Sequence, residues 1–131
     1  DRGNERVAHL YTPFHPAVLS LIDRTVRGAR CADIPVAVCG EMASHPLAVP
    51  LLVGLGIGEL SGVASGVPLV KVFGRSLEMG KVADDARSAL EAGSVAEVGA
   101  IAAERLRGSG LLDHPDIGGW LERAIERALA A

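Results

Sequence analysis

Hydrophobic positions change their spacing twice along this chain. From Pro16 to Ala29, Val18, Leu19, Ile22 and Val26 recur close to every 3.6 residues, which predicts an amphipathic helix. Ile34-Pro35-Val36-Ala37-Val38-Cys39 is then apolar without a break, the pattern of a short strand, Val36–Cys39, covered on both faces. Pro46 to Leu55 is apolar on nearly every side and predicts a buried helix. Pro50 falls in or just after its first turn, where a missing N–H costs nothing. Glu59-Leu60-Ser61 predicts a second strand and Val67 to Phe73 a third helix.

Beyond Ser76 strand signals cease. Leu77 to Ala92 is rich in Ala and charge and reads as helix. Ser94-Val95-Ala96-Glu97 fits a capping box that opens a helix through Leu106. Gly108-Ser109-Gly110 breaks the pattern. Ile117, Leu121, Ile125 and Leu129 then form an apolar stripe on a last helix, facing either the core or a partner subunit. Three His-Pro pairs, His15-Pro16, His45-Pro46 and His114-Pro115, precede helical stretches and read as helix starts. No pair of these histidines has i, i+4 spacing, so a metal site is not expected from them. The fold class is therefore α/β, strand–helix units followed by helices. Two strands make a poor sheet alone, so the segment is expected to belong to a larger α/β body or to pair with other chains.

Composition narrows the partners. The chain has 131 residues, 49% hydrophobic and 22% charged, with formal net charge −3. So small and mixed a charge argues against nucleic acid or an anionic membrane as a partner. With four aromatics, Tyr11, Phe14, Phe73 and Trp120, a base-stacking surface is not expected and the core must be aliphatic. No apolar run reaches the roughly 20 residues of a membrane helix. The amino terminus, Asp1-Arg2-Gly3-Asn4-Glu5-Arg6, has no signal-peptide core and no Met, as in a fragment or a processed product. Cys31 and Cys39 form no Cys-x-x-Cys motif, and a reducing, cytoplasmic setting is expected.

Candidate chemistry gathers at one point. Cys39-Gly40-Glu41 closes the first predicted strand, and carboxyl ends of strands are where parallel α/β proteins collect catalytic groups. Cys39 could donate a proton or be a small buried side chain. Glu41 could orient a site group or face solvent. Cys31, in a predicted helix-end loop, is expected to be inert. Gly54-Leu55-Gly56-Ile57-Gly58 follows a helix rather than a strand, so a dinucleotide loop is not expected.

Four segments occur in an order and spacing that resemble one family. They are Asp1-Arg2-Gly3-Asn4, His9-Leu10-Tyr11-x-Pro13-x-His15-Pro16-Ala17-Val18-Leu19, Val38-Cys39-Gly40-Glu41-Met42-Ala43, and Leu51-Leu52-Val53-Gly54-Leu55-Gly56-x-x-Glu59-Leu60-Ser61. Together they resemble the carboxyl-terminal part of enzyme I of the phosphoenolpyruvate (PEP)-dependent sugar phosphotransferase system. The resemblance implies the last two strands of a PEP-binding (β/α)8 TIM-type barrel over residues 1–75. Residues 76–131 would be a helical appendage for packing or dimer contacts. It implies transfer of the PEP phosphoryl group to a histidine and on to the carrier HPr for sugar uptake, in a magnesium-dependent homodimer. By resemblance, Cys39 protonates the pyruvate enolate, Arg2 binds the PEP phosphate and Glu41 is a candidate supporting group. The magnesium ligands and the phosphohistidine are expected upstream of Asp1, with no metal ligand in this chain, so the chain alone is expected to be inactive.

The chain departs from the family pattern at Ser44-His45, where Gly-Asp is usual, and at Gly62-Val63, where Met or Val and then Ser is usual. Both changes fall on the presumed substrate side, and they fit a divergent paralogue such as a multiphosphoryl transfer protein. Two other readings stay open. One is a non-catalytic truncated paralogue serving oligomerisation or regulation. The other is a fragment of a barrel like that of pyruvate phosphate dikinase or PEP synthase.

Overall fold

The computed structural model describes residue 6 and residues 12–129. Each helix start follows from a local feature. Helix α1, Pro16–Cys31, begins where the His15 ring Nδ1 accepts the Ala17 N–H at 3.2 Å. Pro16 has no N–H, so the cap bond passes to the next residue. The helix ends with Asp33 in the left-handed region, φ 53°, and the Ile34 N–H donating back to the Ala29 carbonyl at 3.0 Å. This arrangement carries α1 beyond the predicted end at Ala29. Cys31 therefore closes the helix, exposed, instead of lying in a loop.

Strand β1, Ala37–Cys39, and strand β2, Glu59–Ser61, pair in parallel, and helix α2, Ala48–Leu55, joins them. The register sets Ala37 against Glu59, Val38 against Leu60 and Cys39 against Ser61. Helix α2 lies in the middle of the fold, with Ala48, Val49, Pro50, Leu51, Leu52 and Leu55 buried. Pro50 occupies its third position, inside the first turn. At the other end Gly56, φ 94°, turns the chain while the Ile57 N–H donates to the Leu52 carbonyl at 3.0 Å. Ile57 and Leu52 then pack together, as such a helix end favours.

Helix α3, Val67–Ser76, is followed by three more: α4, Met79–Glu91; α5, Val95–Arg107; and α6, Gly118–Leu129. Half of the predicted capping box forms, the Ser94 hydroxyl accepting the Glu97 N–H at 3.2 Å, while the Glu97 carboxylate accepts the Gly93 N–H, one residue before the cap, at 2.9 Å. Helices α4 and α5 are tied by Arg105, which grips Asp85 with two hydrogen bonds, one of them Nη2 to Oδ1 at 3.0 Å. That bond holds the guanidinium firmly in its charged form. The stripe on α6 faces inward: Leu121 and Ile125 are buried, and only Leu129 emerges, 43% exposed. One core runs through both halves of the chain, from Phe14, Leu19 and Leu51 to Val98, Leu106 and Leu121.

The sheet differs from the sequence expectation. Val36 precedes the paired strand, and β1 is covered on one face only. Val38, with Val36 and Leu60, packs on Val26, Leu52 and Ile57 beneath α1 and α2. Ala37 and Cys39 point the other way and are exposed, as are Glu59 and Ser61 of β2. An unbroken apolar run signals burial on average, but a period of two still sends alternate residues to opposite faces.

Candidate active site

The exposed face of the sheet carries one side chain of chemical interest at each strand end. Cys39 and Ser61 are register partners, so the thiol and the hydroxyl stand side by side, on strands about 4.8 Å apart. Ala37 and Glu59 form the next pair back on the same face. Ser61 and Glu59 drew no role from the sequence, although the alternation within Glu59-Leu60-Ser61 is a signal for them.

Gly40 turns the chain away from the strand. Its N–H extends the ladder by donating to the Ser61 carbonyl at 3.0 Å. Its dihedrals, φ 91° and ψ −160°, lie in a region essentially restricted to glycine. The next residues wind into a 3-10 turn, Glu41–Ser44. The Ala43 N–H donates to the Gly40 carbonyl at 3.1 Å, and the His45 N–H donates to the Met42 carbonyl at 3.2 Å. Ala43 is buried while Glu41 and Cys39 are exposed, so the turn holds the carboxylate near the thiol's end of the sheet. A thiol exposed at the end of a strand is a group able to deliver a proton to a ligand lying across the strand ends.

Beyond the turn, His45 does more than start a helix. Its ring Nδ1 accepts the Leu47 N–H at 3.3 Å, and its carbonyl accepts the Ala48 and Val49 N–H groups, each at 3.0 Å. The ring also meets Phe14 edge to face, centroids 5.2 Å apart at 74°. Burial, and then the positive charge of Arg127 on α6, lower its pKa from the ordinary 6.5, which favours the neutral ring that the Nδ1 acceptor requires. His15 and His114 cap in the same way: the Nδ1 of His114 accepts the Asp116 N–H at 3.2 Å. Among the described residues, no three His, Cys, Asp or Glu side chains gather closely enough to hold a metal ion.

The two departures noted in the sequence meet here. A Cβ on Gly62 would stand 3.5 Å from the Ser44 Cβ and Oγ, and one on Gly66 would stand 2.9 Å from that Cβ. Ser44 thus lies against both glycines, and the contact is tighter at Gly66 than at Gly62. An aspartate at 45 would supply a cap acceptor, and the histidine supplies one too.

Arg2 lies outside the described residues. A shallow cleft lined by Arg30, Ile34, Pro35, Val36, Gly58 and Glu59 sits at the amino ends of the strands, away from Cys39. Among the described residues no helix is long and apolar enough to cross a membrane.

Comparison with known proteins gives this geometry a context. Residues 1–79 match the family described as PEP-utilising enzyme, PEP-binding domain. A phosphoenolpyruvate-protein phosphotransferase of Cupriavidus necator is 56% identical over 61 residues, covering 47% of this chain and 10% of that protein. One from Haloferax volcanii is 46% identical over 101 residues, 77% of this chain and 18% of that protein. One from Enterococcus faecalis is 38% identical over 105 residues, 79% of this chain and 18% of that protein. The chain thus spans less than a fifth of the length of these relatives.

Proposed function

Since the chain belongs to the PEP-utilising enzymes, within their PEP-binding domain, we propose that it is part of a phosphoenolpyruvate-protein phosphotransferase in which Cys39 protonates the pyruvate enolate. The observation that carries this reading is the exposed thiol at the carboxyl end of β1, on the uncovered face of a parallel pair. On this reading β1 and β2 are the last two strands of a (β/α)8 barrel. The face bearing Cys39 and Ser61 looks into that barrel, and residues 1–75 contribute to it. Residues 76–131 add helices that pack on it and serve contacts in a homodimer.

The chemistry is proton delivery to carbon. The bond between phosphorus and the enol oxygen of PEP breaks as the phosphoryl group passes to a histidine elsewhere in the enzyme, and on to HPr for sugar uptake. The electron pair left on oxygen makes the enolate of pyruvate. Its terminal carbon takes the Cys39 proton, giving the methyl group, and the resulting thiolate regains a proton from water. Arg2 binds the phosphate through its planar fork of donors. Glu41 supports the thiol's end of the sheet. Among the described residues no three His, Cys, Asp or Glu side chains gather closely enough to hold a metal ion, so no step here passes through magnesium, and on this reading its ligands are expected upstream of Asp1. Two free thiols accord with a reducing, cytoplasmic setting. The names of the relatives favour this reaction over that of a dikinase or a PEP synthase.

The test uses the intact enzyme carrying this chain, with PEP, magnesium and HPr in deuterated water. General acid catalysis contributes about 10²–10⁴ in rate. Cys39→Ala is expected to slow pyruvate formation by that order and, with PEP stereospecifically tritiated at C3, to abolish formation of a chiral methyl group. Undiminished turnover in Cys39→Ala would refute the role of the thiol. Failure of the wild-type enzyme to use PEP would instead favour a non-catalytic assembly module.

A further inference from the structure

Between Cys39 and α2 the chain is a hydrogen-bonded arch with an anchor at each foot. The first foot is Gly40, whose N–H reaches the Ser61 carbonyl on β2 at 3.0 Å. The arch itself is the 3-10 turn, braced by Ala43 to Gly40 and by the Ser44 hydroxyl donating to the Glu41 carbonyl at 3.4 Å. The second foot is His45. Its N–H closes the turn on Met42, its carbonyl and Nδ1 take three N–H groups at the start of α2, and its ring rests against Phe14. Phe14 is itself held by its N–H donating to the Thr12 hydroxyl at 3.3 Å, just ahead of α1. His45 is thus the point where the arch, the start of α2 and the approach to α1 are tied together.

We propose that His45 is a positioning residue that sets the place of the Cys39 thiol by anchoring the far foot of this arch. The proposal rests on the reading of Cys39 as proton donor for its catalytic consequence, but not for its geometric one. The acceptor at Nδ1 is the working part. A short side chain with an oxygen acceptor serves the same N–H group, whereas a side chain without one leaves the Leu47 N–H unpaired and loosens the start of α2, on which the far foot of the arch rests. Phe14 packs edge to face on the ring from before α1, and the positive charge of Arg127 on α6 disfavours its protonation; both accord with a neutral ring.

The experiment uses the intact enzyme in a Cys31→Ser background, so that iodoacetamide reports on Cys39 through mass spectrometry of its peptide. His45→Ala is expected to change the alkylation rate of Cys39 severalfold and to lower kcat by about tenfold, with a smaller effect on the KM for PEP. His45→Asn, which restores the acceptor, is expected to return both to near wild type. If His45→Ala does not accumulate folded, His45→Gln, whose longer chain misplaces the acceptor, takes its place. An unchanged alkylation rate in a folded variant lacking the acceptor would overturn the proposal. So would a His45→Asn enzyme as impaired as His45→Ala. A changed alkylation rate with an unchanged kcat would uphold the positioning and refute the catalytic role of the thiol.

Discussion

Gly54 sits in the second-to-last position of α2, where the helix crosses α4, and replacing it with alanine isolates how tightly the two are packed. In an open helical position the change stabilises by up to about 1 kcal/mol, because alanine gives up less backbone freedom on folding. Here a Cβ would overlap the Val82 carbonyl oxygen, and would lie 2.7 Å from the Val82 carbonyl carbon and 2.9 Å from the Ala86 Cβ. The obstacle is backbone, so no rotamer change relieves it, and α4 must shift as a body. Overpacking of this kind costs about 1–3 kcal/mol, with the upper end expected where backbone blocks the way. After the helical gain, Gly54→Ala should destabilise by about 1–2 kcal/mol. Urea unfolding followed by far-UV circular dichroism reads this as a midpoint lowered by about 1 M at unchanged slope. Gly74→Ala in α3 is the control: nothing lies within 4 Å of its Cβ, so only the helical gain remains. A Gly54→Ala protein at least as stable as wild type, beside a Gly74→Ala control that gains, would refute close contact of α2 with α4. The contact matters to the site, since α2 begins at the foot of the arch behind Cys39.

Three further outcomes are expected. Gly40→Ala should cost about 1–3 kcal/mol although open space surrounds the position, because its dihedrals exclude a Cβ; an unchanged thermal midpoint would count against that backbone. Gly66→Ala should be destabilising alone and tolerated in a Ser44→Gly background, since the new Cβ meets Ser44 at 2.9 Å; a double-mutant cycle should return a coupling of about 1 kcal/mol, and strict additivity would contradict the contact. His45, with its folded pKa below 6.5, makes the unfolded chain the better proton binder as pH falls through that value. Stability from this residue is therefore present above about pH 6.5 and lost below it, and His45→Asn should flatten that part of the denaturation profile.

Much of the local structure was legible because it is decided within a few residues. A proline without an N–H hands the cap bond to the next residue, so each His-Pro pair starts a helix or its approach. Ser94 and Glu97 lie within one turn of each other, and Ser94 caps α5 as its spacing predicts. Glu59–Ser61 forms the second strand at the predicted bounds. The family, too, was readable, because its motifs are contiguous stretches in a set order.

The site was only half legible. Sequence placed a thiol and a carboxylate at a strand end. It could not say which face of β1 would be covered, since that depends on where α1 and α2 lie. Nor could it set Ser61 beside Cys39, Ser44 against Gly66, or the His45 ring against Phe14 and within the field of Arg127. Those neighbours are 22 to 82 residues apart in the chain, and only the burial of α2 brings them together. Hydrogen bonds within a turn depend on residue type and spacing, and the sequence holds both. Contacts between distant segments depend on how apolar surfaces share one core, and that the tertiary structure alone decides.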